Sequence, residues 1–306
     1  LWGFSLLSLS AGCGSWQDDC KKLDPPAASL LSQLTHGEGT PLFDDATSDF
    51  GISHIVDLSE RERHYDGLVG GGVALADFDA NGHLDIIVTG GDAPNRHFFN
   101  QGDATFLECG NGTGVAREGD WSLGVSVADF DNDGDPDVFL LNHGKNRVLR
   151  NNGDGSFEDI TTESGIEGDA RSGGASWADL DGDGLLDVLI VNLLEDFVFE
   201  GGVRAFFYAD RPQLYRNLGG GRFLDVSARV GSSGLPEGSS YIGVMHDLNG
   251  DYRPDILLTQ EFGEEVLRNQ LYQNLGPVPG ESWVEFENVT EGAGIADPRA
   301  AMGAAL

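Results

Sequence analysis

The feature that most constrains this chain is an acidic loop that recurs four times inside a longer repeat. It reads Asp77-Phe-Asp79-Ala-Asn81-Gly82-His83-Leu-Asp85, then Asp129-Phe-Asp131-Asn-Asp133-Gly134-Asp135-Pro-Asp137, then Asp179-Leu-Asp181-Gly-Asp183-Gly184-Leu185-Leu-Asp187. A looser fourth copy reads Asp247-Leu-Asn249-Gly-Asp251-Tyr252-Arg253-Pro-Asp255. An apolar run follows each copy, as in Val138-Phe-Leu-Leu. Successive first aspartates stand 52, 50 and 68 residues apart. A period of that size, built from short strands, predicts a propeller or a solenoid.

A second pattern lies between the acidic loops. Leu149-Arg150-Asn151 leads through Asn152-Gly153-Asp154-Gly155 to Phe157-Glu158-Asp159-Ile160-Thr161, and Leu214-Tyr215-Arg216-Asn217 and Leu271-Tyr272-Gln273-Asn274 repeat it. Two β-type runs joined by Asn-Gly-Asp-Gly form a hairpin signal, because glycine and asparagine accept the positive φ of tight turns. Each unit then supplies four strands, in the second unit 125–128, 137–141, 147–150 and 157–161. Four antiparallel strands per repeat make a propeller blade. The fold class predicted is all-β, a β-propeller present as an incomplete arc of about four to five blades, without long helices. Phe43 to Thr47 with Gly51-Ile52 matches the last strand of a preceding unit, and Arg299 to Leu306 matches the approach to another acidic loop. Residues 41–306 are therefore read as repeats cut short at the C-terminal side.

Within each acidic loop, oxygens fall at positions one, three, five and nine, with a backbone carbonyl available at position seven. A hard divalent cation takes six to eight oxygens at about 2.3–2.6 Å, which favours Ca²⁺ over metals that seek nitrogen or sulfur. The EF-hand begins alike but adds Glu at position twelve. Here that position is Val88, Leu140, Ile190 or Leu258, inside an apolar strand, so Asp85, Asp137, Asp187 and Asp255 close the loops. The candidate metal residues are Asp77, Asp79, Asn81, His83 and Asp85; Asp129, Asp131, Asp133, Asp135 and Asp137; Asp179, Asp181, Asp183, Leu185 and Asp187; and Asp247, Asn249, Asp251, Arg253 and Asp255. Three Ca²⁺ sites are expected, with weaker or absent binding at the fourth, where Tyr252 replaces glycine and Arg253 adds a positive charge. An ion in such a loop ties two strands of a blade together, a structural role.

These units resemble FG-GAP (VCBS) repeats, as in integrin α-subunit propellers and many secreted bacterial proteins. The Ala-Asp-Phe/Leu-Asp-x-Asp-Gly loop, with Tyr-Arg-Asn and Phe-x-Asp-Ile/Val-Thr, is most similar to the cartilage-acidic-protein (ASPIC) group. The resemblance covers roughly residues 41 to 306. It implies a calcium-stabilised propeller, often seven-bladed, used for extracellular binding without a shared catalytic centre.

Composition agrees with an acidic scaffold. Asp and Glu number 51 against 18 Lys and Arg, a formal net charge of −33, and lysine occurs only at positions 21, 22 and 145. Such a surface repels phosphate backbones, so nucleic acid is not an expected partner. No apolar run reaches the length of a membrane-spanning helix. Leu1 to Ser10 reads as the apolar core of a secretory signal, and Ser10-Ala-Gly-Cys13 closes it like a bacterial lipobox, with Cys13 the lipidation site. Residues 1–13 are thus a signal segment and 14–40 a tether. The expected location is the bacterial outer membrane or cell surface as a lipoprotein, otherwise secretion. Cys20 and Cys109 either pair in an oxidising compartment or stand as two lone thiols.

No catalytic constellation is visible. The seven histidines have no zinc-binding spacing, and neither a Gly-x-Ser-x-Gly elbow nor a phosphate cradle occurs. An insertion between the third loop and Tyr215 carries Phe197, Phe199, Arg204, Phe206, Phe207 and Tyr208, the candidate partner-binding residues, because loops that lengthen on a rigid scaffold carry binding. The same aromatics could instead pack as a lid. The expected function is a surface-anchored, non-catalytic adhesion or recognition module for an extracellular protein or glycan. The alternatives are the scaffold of a carbohydrate-active enzyme such as a polysaccharide lyase, and a purely structural ectodomain.

Overall fold

The computed structural model describes residues 52, 71–91, 93–103, 105–109, 112–166, 168–193, 210–260 and 268–295, and the backbone alone at 20–22, 111, 194–200 and 203–209. Cys13, residues 43–51 and residues 299–306 lie outside these.

Four antiparallel sheets follow one another along the chain. Blade 1 pairs β2 (Val73–Ala76), β3 (Asp85–Val88), β4 (Arg96–Asn100) and β5 (Phe106–Cys109), with β1 (Cys20–Lys22) added outside β5. Blade 2 contains β6 (Ser122–Ala128), β7 (Asp137–Asn142), β8 (Arg147–Asn151) and β9 (Phe157–Asp159). Blade 3 contains β10 (Ser172–Ala178), β11 (Asp187–Asn192), β14 (Gln213–Asn217) and β15 (Phe223–Asp225), and the hairpin β12 (Leu194–Glu200) and β13 (Val203–Ala209) is inserted within it as a separate two-stranded sheet. Blade 4 contains β16 (Ser240–His246), β17 (Asp255–Gln260), β18 (Gln270–Pro277) and β19 (Val284–Asn288). Each blade is a meander, first strand to fourth, as the repeat predicts. The described helices are single turns, α1 (Thr161–Ser164) and α2 (Thr290–Ala293) among them.

The core lies between blades, which explains the unbroken apolar runs after each acidic loop. Every residue of β7 is buried. Val138 and Leu140 face blade 1, beside Ile87 and Phe99, while Phe139 and Leu141 face blade 3, beside Val188 and Ile190. On β11, Leu189 and Val191 face blade 4, beside Ile256 and Leu258. A strand covered on both faces needs apolar residues at every position rather than alternation. The first strands of neighbouring blades approach closely: a Cβ on Gly72 would lie 2.8 Å from the Cα of Gly124. Glycine at both positions permits that approach.

The fourth strand ends earlier than the sequence suggests, at Asp159 rather than Thr161, for a local reason. Asp159 Oδ1 accepts the Thr161 backbone N–H at 3.0 Å, turning the chain into α1, and Thr161 Oγ1 accepts the Val148 N–H at 3.0 Å. The Asp225–Ser227 and Asn288–Thr290 pairs repeat both bonds, to Leu214 and Leu271. The Phe-x-Asp-Ile/Val-Thr motif is thus a core phenylalanine, a turn and a hydroxyl that returns to the third strand.

Two described segments near the N-terminus, Ile52 and β1, lie against blade 1. Ile52 packs against Phe98 and Phe106, on the face of blade 1 directed away from blade 2. Cys109 is disulfide-bonded, and Cys20 stands directly opposite it in the β1–β5 register. Part of the expected tether therefore joins blade 1 as a fifth strand.

Candidate metal centre

Each acidic loop joins the first and second strands of its blade and is built by its own carboxylates. The first aspartate holds the turn: Asp129 Oδ1 and Oδ2 accept the N–H groups of Asp133 and Gly134, both at 3.1 Å, and Asp77, Asp179 and Asp247 repeat this. The fifth position accepts the N–H of the seventh: Asn81 from His83, Asp133 from Asp135, Asp183 from Leu185 and Asp251 from Arg253, at 2.8–3.0 Å. Two residues per loop adopt positive φ. The sixth, Gly82, Gly134 or Gly184, lies at 88°, 97° and 89°, and Tyr252 takes 66° in the fourth loop. The fourth position, Ala80, Asn132, Gly182 or Gly250, lies at 55°, 60°, 75° and 81°.

The closing aspartates are almost fully inaccessible, Asp85 and Asp137 at 0%, Asp187 at 1% and Asp255 at 2%. Asp137 Oδ2 accepts the Phe130 N–H at 3.1 Å and Oδ1 accepts the Asn151 N–H at 2.8 Å, so one carboxylate fastens the loop to the third strand. Asp85, Asp187 and Asp255 do the same with Asn100, Asn217 and Asn274. Burial pushes Asp85 up to about 6 and Asp137 and Asp187 up to about 7; the two N–H donors oppose this and the neighbouring carboxylates add to it. Burial also raises Asp79, Asp131 and Asp181. Ionising such a cluster without a counter-charge costs folding stability that is present below the unfolded value of 3.8 and lost as pH rises through the folded values.

Three of the loops bring carboxylates together. One ligand atom from each of Asp77, Asp79 and Asp85 lies within 4.8 Å of the others, and Asp129–Asp131–Asp137 and Asp179–Asp181–Asp187 form the same triad. These triads could hold a metal ion. The donor set is all oxygen, which suits a hard divalent cation. Asp131 provides the specific test of fit: its Oδ1 is buried with no hydrogen-bond partner, on a residue of the triad. A buried acceptor left unpaired costs about 1–3 kcal/mol, more when charged, and a cation at that oxygen offsets the cost. The fourth loop is built differently. Asn249 holds its third position, Arg253 Nη2 lies 2.5 Å from Asp251 Oδ2, and Arg253 Nε donates to the Asn274 carbonyl at 2.9 Å.

With this repeated geometry in view, residues 77–140 and 129–190 each match the model of the FG-GAP-like repeat. Residues 77–190 thus consist of FG-GAP-like repeats. The chain is similar to cartilage acidic protein 1 of Mus musculus, 28% identical over 169 residues that cover 51% of this chain and 24% of that protein. The Xenopus tropicalis protein of the same name is 30% identical over 173 residues, 50% of this chain and 23% of that one. The chain thus spans about a quarter of the length of these curated relatives. Among solved structures, an Agrocybe aegerita lectin described as recognising non-reducing terminal N-acetylglucosamine aligns with a TM-score of 0.40 at 24% identity, over 70% of this chain and 50% of that one. The V. cholerae biofilm matrix protein Bap1 aligns at 0.36 and 16%, over 67% and 37%.

The acidic loops are also latched across blades by residues that the acidic spacing does not reveal. Asn151 Nδ2 donates to the Phe78 carbonyl of the preceding blade's loop at 2.9 Å and to the Pro136 carbonyl of its own at 3.1 Å, and its Oδ1 accepts the Gly153 N–H at 2.9 Å. Asn217 links Phe130 and Leu186 in this way, and Asn274 links Leu180 and Pro254. The signal was the asparagine closing each Tyr-Arg-Asn-like run. The candidate partner residues sit on the inserted hairpin, where Phe197 pairs with Phe207, Phe199 with Arg204, and Tyr208 with Asp196; β13 also carries Phe206. No described helix is long and apolar enough to cross a membrane.

Proposed function

We propose that this FG-GAP arc is a calcium-stabilised part of an exported, non-catalytic recognition module, and that the hairpin β12–β13 contacts an extracellular protein or glycan. The observation that carries the reading is the Asp triad repeated at one position in three consecutive blades, with an unpartnered buried oxygen in the second. Asp129, Asp131, Asp133 and Asp137 would hold Ca²⁺ in that loop, and the corresponding residues in the first and third; when bound, the ion supplies a charge that ties strands one and two of the blade together. The disulfide at Cys109 fits an oxidising compartment, in keeping with export. Lipid attachment at Cys13 belongs to the same proposal.

The scaffold favours binding at the insertion. Residues 143–146 join the second and third strands in blade 2, whereas blade 3 places two seven-residue strands in that connection. The test replaces 195–210 by a short Gly-Ser turn and measures binding to glycan and extracellular-protein arrays, with calcium and with chelator. Calcium-dependent binding that falls about tenfold or more on excision is expected. Binding unchanged by excision contradicts the role of the hairpin. Release of unsaturated uronate from a polysaccharide would overturn the non-catalytic reading.

A further inference from the structure

The third acidic loop differs from the second through a residue that is not part of it. Arg216, on β14, places Nη2 2.5 Å from Asp181 Oδ2 and 3.2 Å from Asp183 Oδ2, with its side chain 16% exposed. Its guanidinium carbon lies 5.5 Å from the ring centroid of Trp283, a 1%-exposed residue of blade 4. The repeat places Arg150 at the same position in blade 2, but that side chain pairs with Glu158. Blades 1 and 4 have Phe99 and Gln273 there. In the fourth loop Arg253 sits on Asp251.

The loops therefore differ in the negative charge they offer a cation. The second carries five aspartates over its odd positions, Asp129 to Asp137; among the described residues no guanidinium forms an ion pair with them, and the Arg150 charge reaches Asp131 only from its place on Glu158. The first carries three, Asp77, Asp79 and Asp85. The third carries four, but Arg216 occupies an oxygen of Asp181, which is itself a member of the triad. The fourth carries three, one of them paired with Arg253.

We propose that Arg216 sets the affinity of the third loop as a tethered competing cation, held in place by Trp283. A divalent ion entering the third triad meets a guanidinium already on Asp181, and its charge drives that group off the carboxylate. The second loop then fills at the lowest calcium concentration and the third at a higher one. Occupancy of the third loop is felt at the junction of blades 3 and 4, because the displaced guanidinium alters its stacking on Trp283. This inference rests on the calcium reading of the loops.

The test is calcium titration of the chelator-stripped chain by calorimetry, with tryptophan fluorescence followed in parallel. Arg216→Gln is expected to tighten the weaker class of sites about tenfold, the order for removing one charge about 5 Å from a divalent ion at high dielectric, and to leave the tighter class unchanged. Arg216→Lys, which keeps the charge, retains the weaker class. The fluorescence change accompanying that class is expected to vanish in Trp283→Phe. Calcium binding with Arg216→Gln and Arg216→Lys both titrating as the parent overturns the role of Arg216 and leaves the calcium reading standing. Weaker binding in Arg216→Gln would make Arg216 a supporting residue, also against the proposal. No calcium binding at any loop in the parent overturns the calcium reading itself.

Discussion

Replacing Asn151 by alanine is expected to destabilise the junction of blades 1 and 2 by about 3 kcal/mol, since one buried and two part-buried hydrogen bonds are lost and their partners are left unpaired at about 1–3 kcal/mol each where water does not reach them. Those partners are the Phe78 and Pro136 carbonyls and the Gly153 N–H, and Asn151 is 3% exposed. Phe78 belongs to the acidic loop of the preceding blade, and its own N–H is held by Asp85. The substitution therefore loosens two loops together. Asn151→Asp is the sharper variant: it preserves volume and the acceptor for Gly153, but sets a carboxylate where two carbonyls need a donor. It should cost at least as much as alanine. Asn152→Ala, one residue away and exposed, removes a side-chain bond to Ser156 and should change stability by about 0.5 kcal/mol or less. Urea unfolding, with hydrogen exchange at Gly153, measures all three. An Asn151→Ala variant within about 1 kcal/mol of the parent would contradict the cross-blade latch.

The second large effect is expected at His97. It is fully buried, and neither ring nitrogen has a hydrogen-bond partner. Its ring lies 3.9 Å from that of Phe99 and edge-on to Phe78 at 5.2 Å, within the core between blades 1 and 2. The repeat places Val148, Leu214 and Leu271 at this position. Burial alone lowers the His97 pKa from 6.5 to about 3. Because the folded value is the lower one, the folded chain binds the proton less well than the unfolded chain does. Stability from this group is thus complete above pH about 6.5 and lost as pH falls towards 3, by up to about 5 kcal/mol. His97→Leu should raise stability at pH 7 by about 1–3 kcal/mol, through removal of two unpaired polar atoms. It should also flatten the decline in stability between pH 6.5 and 4. Parallel pH profiles for parent and variant would contradict this account.

The architecture was legible because the repeat carries it twice, in the acidic loop and in the hairpin. Each loop needs a residue that accepts positive φ at position six, and in the first three loops glycine there marked both the turn and the strand boundary, whereas Tyr252 takes that conformation in the fourth. The place of the closing aspartate was also legible, since position twelve lies in an apolar strand; in three loops that aspartate joins two others in one cluster. What spacing could not show was contact across blades. Asn151 reaches a carbonyl 73 positions away. Arg150 and Arg216 occupy the same place in the repeat, yet one pairs with Glu158 and the other with the acidic loop. Such choices depend on which residues the neighbouring blade brings near, and a one-dimensional pattern does not contain them. The fourth position of the loop was obscured for a different reason: alanine, asparagine and glycine share no chemistry beyond small size, although all adopt positive φ there. His97 looked like one of seven scattered histidines, and only its place beside Phe78 and Phe99 shows the cost of putting it there.

The central claim is that the first three acidic loops are cation sites that tie the first two strands of their blades together. Thermal unfolding of the chelator-stripped chain during calcium titration tests it most directly. The account predicts a saturable rise in the midpoint, with about 2.7 kcal/mol gained per site at a hundredfold excess over its Kd, and a smaller rise in Asp131→Asn. A midpoint that is the same with calcium and with chelator would contradict it.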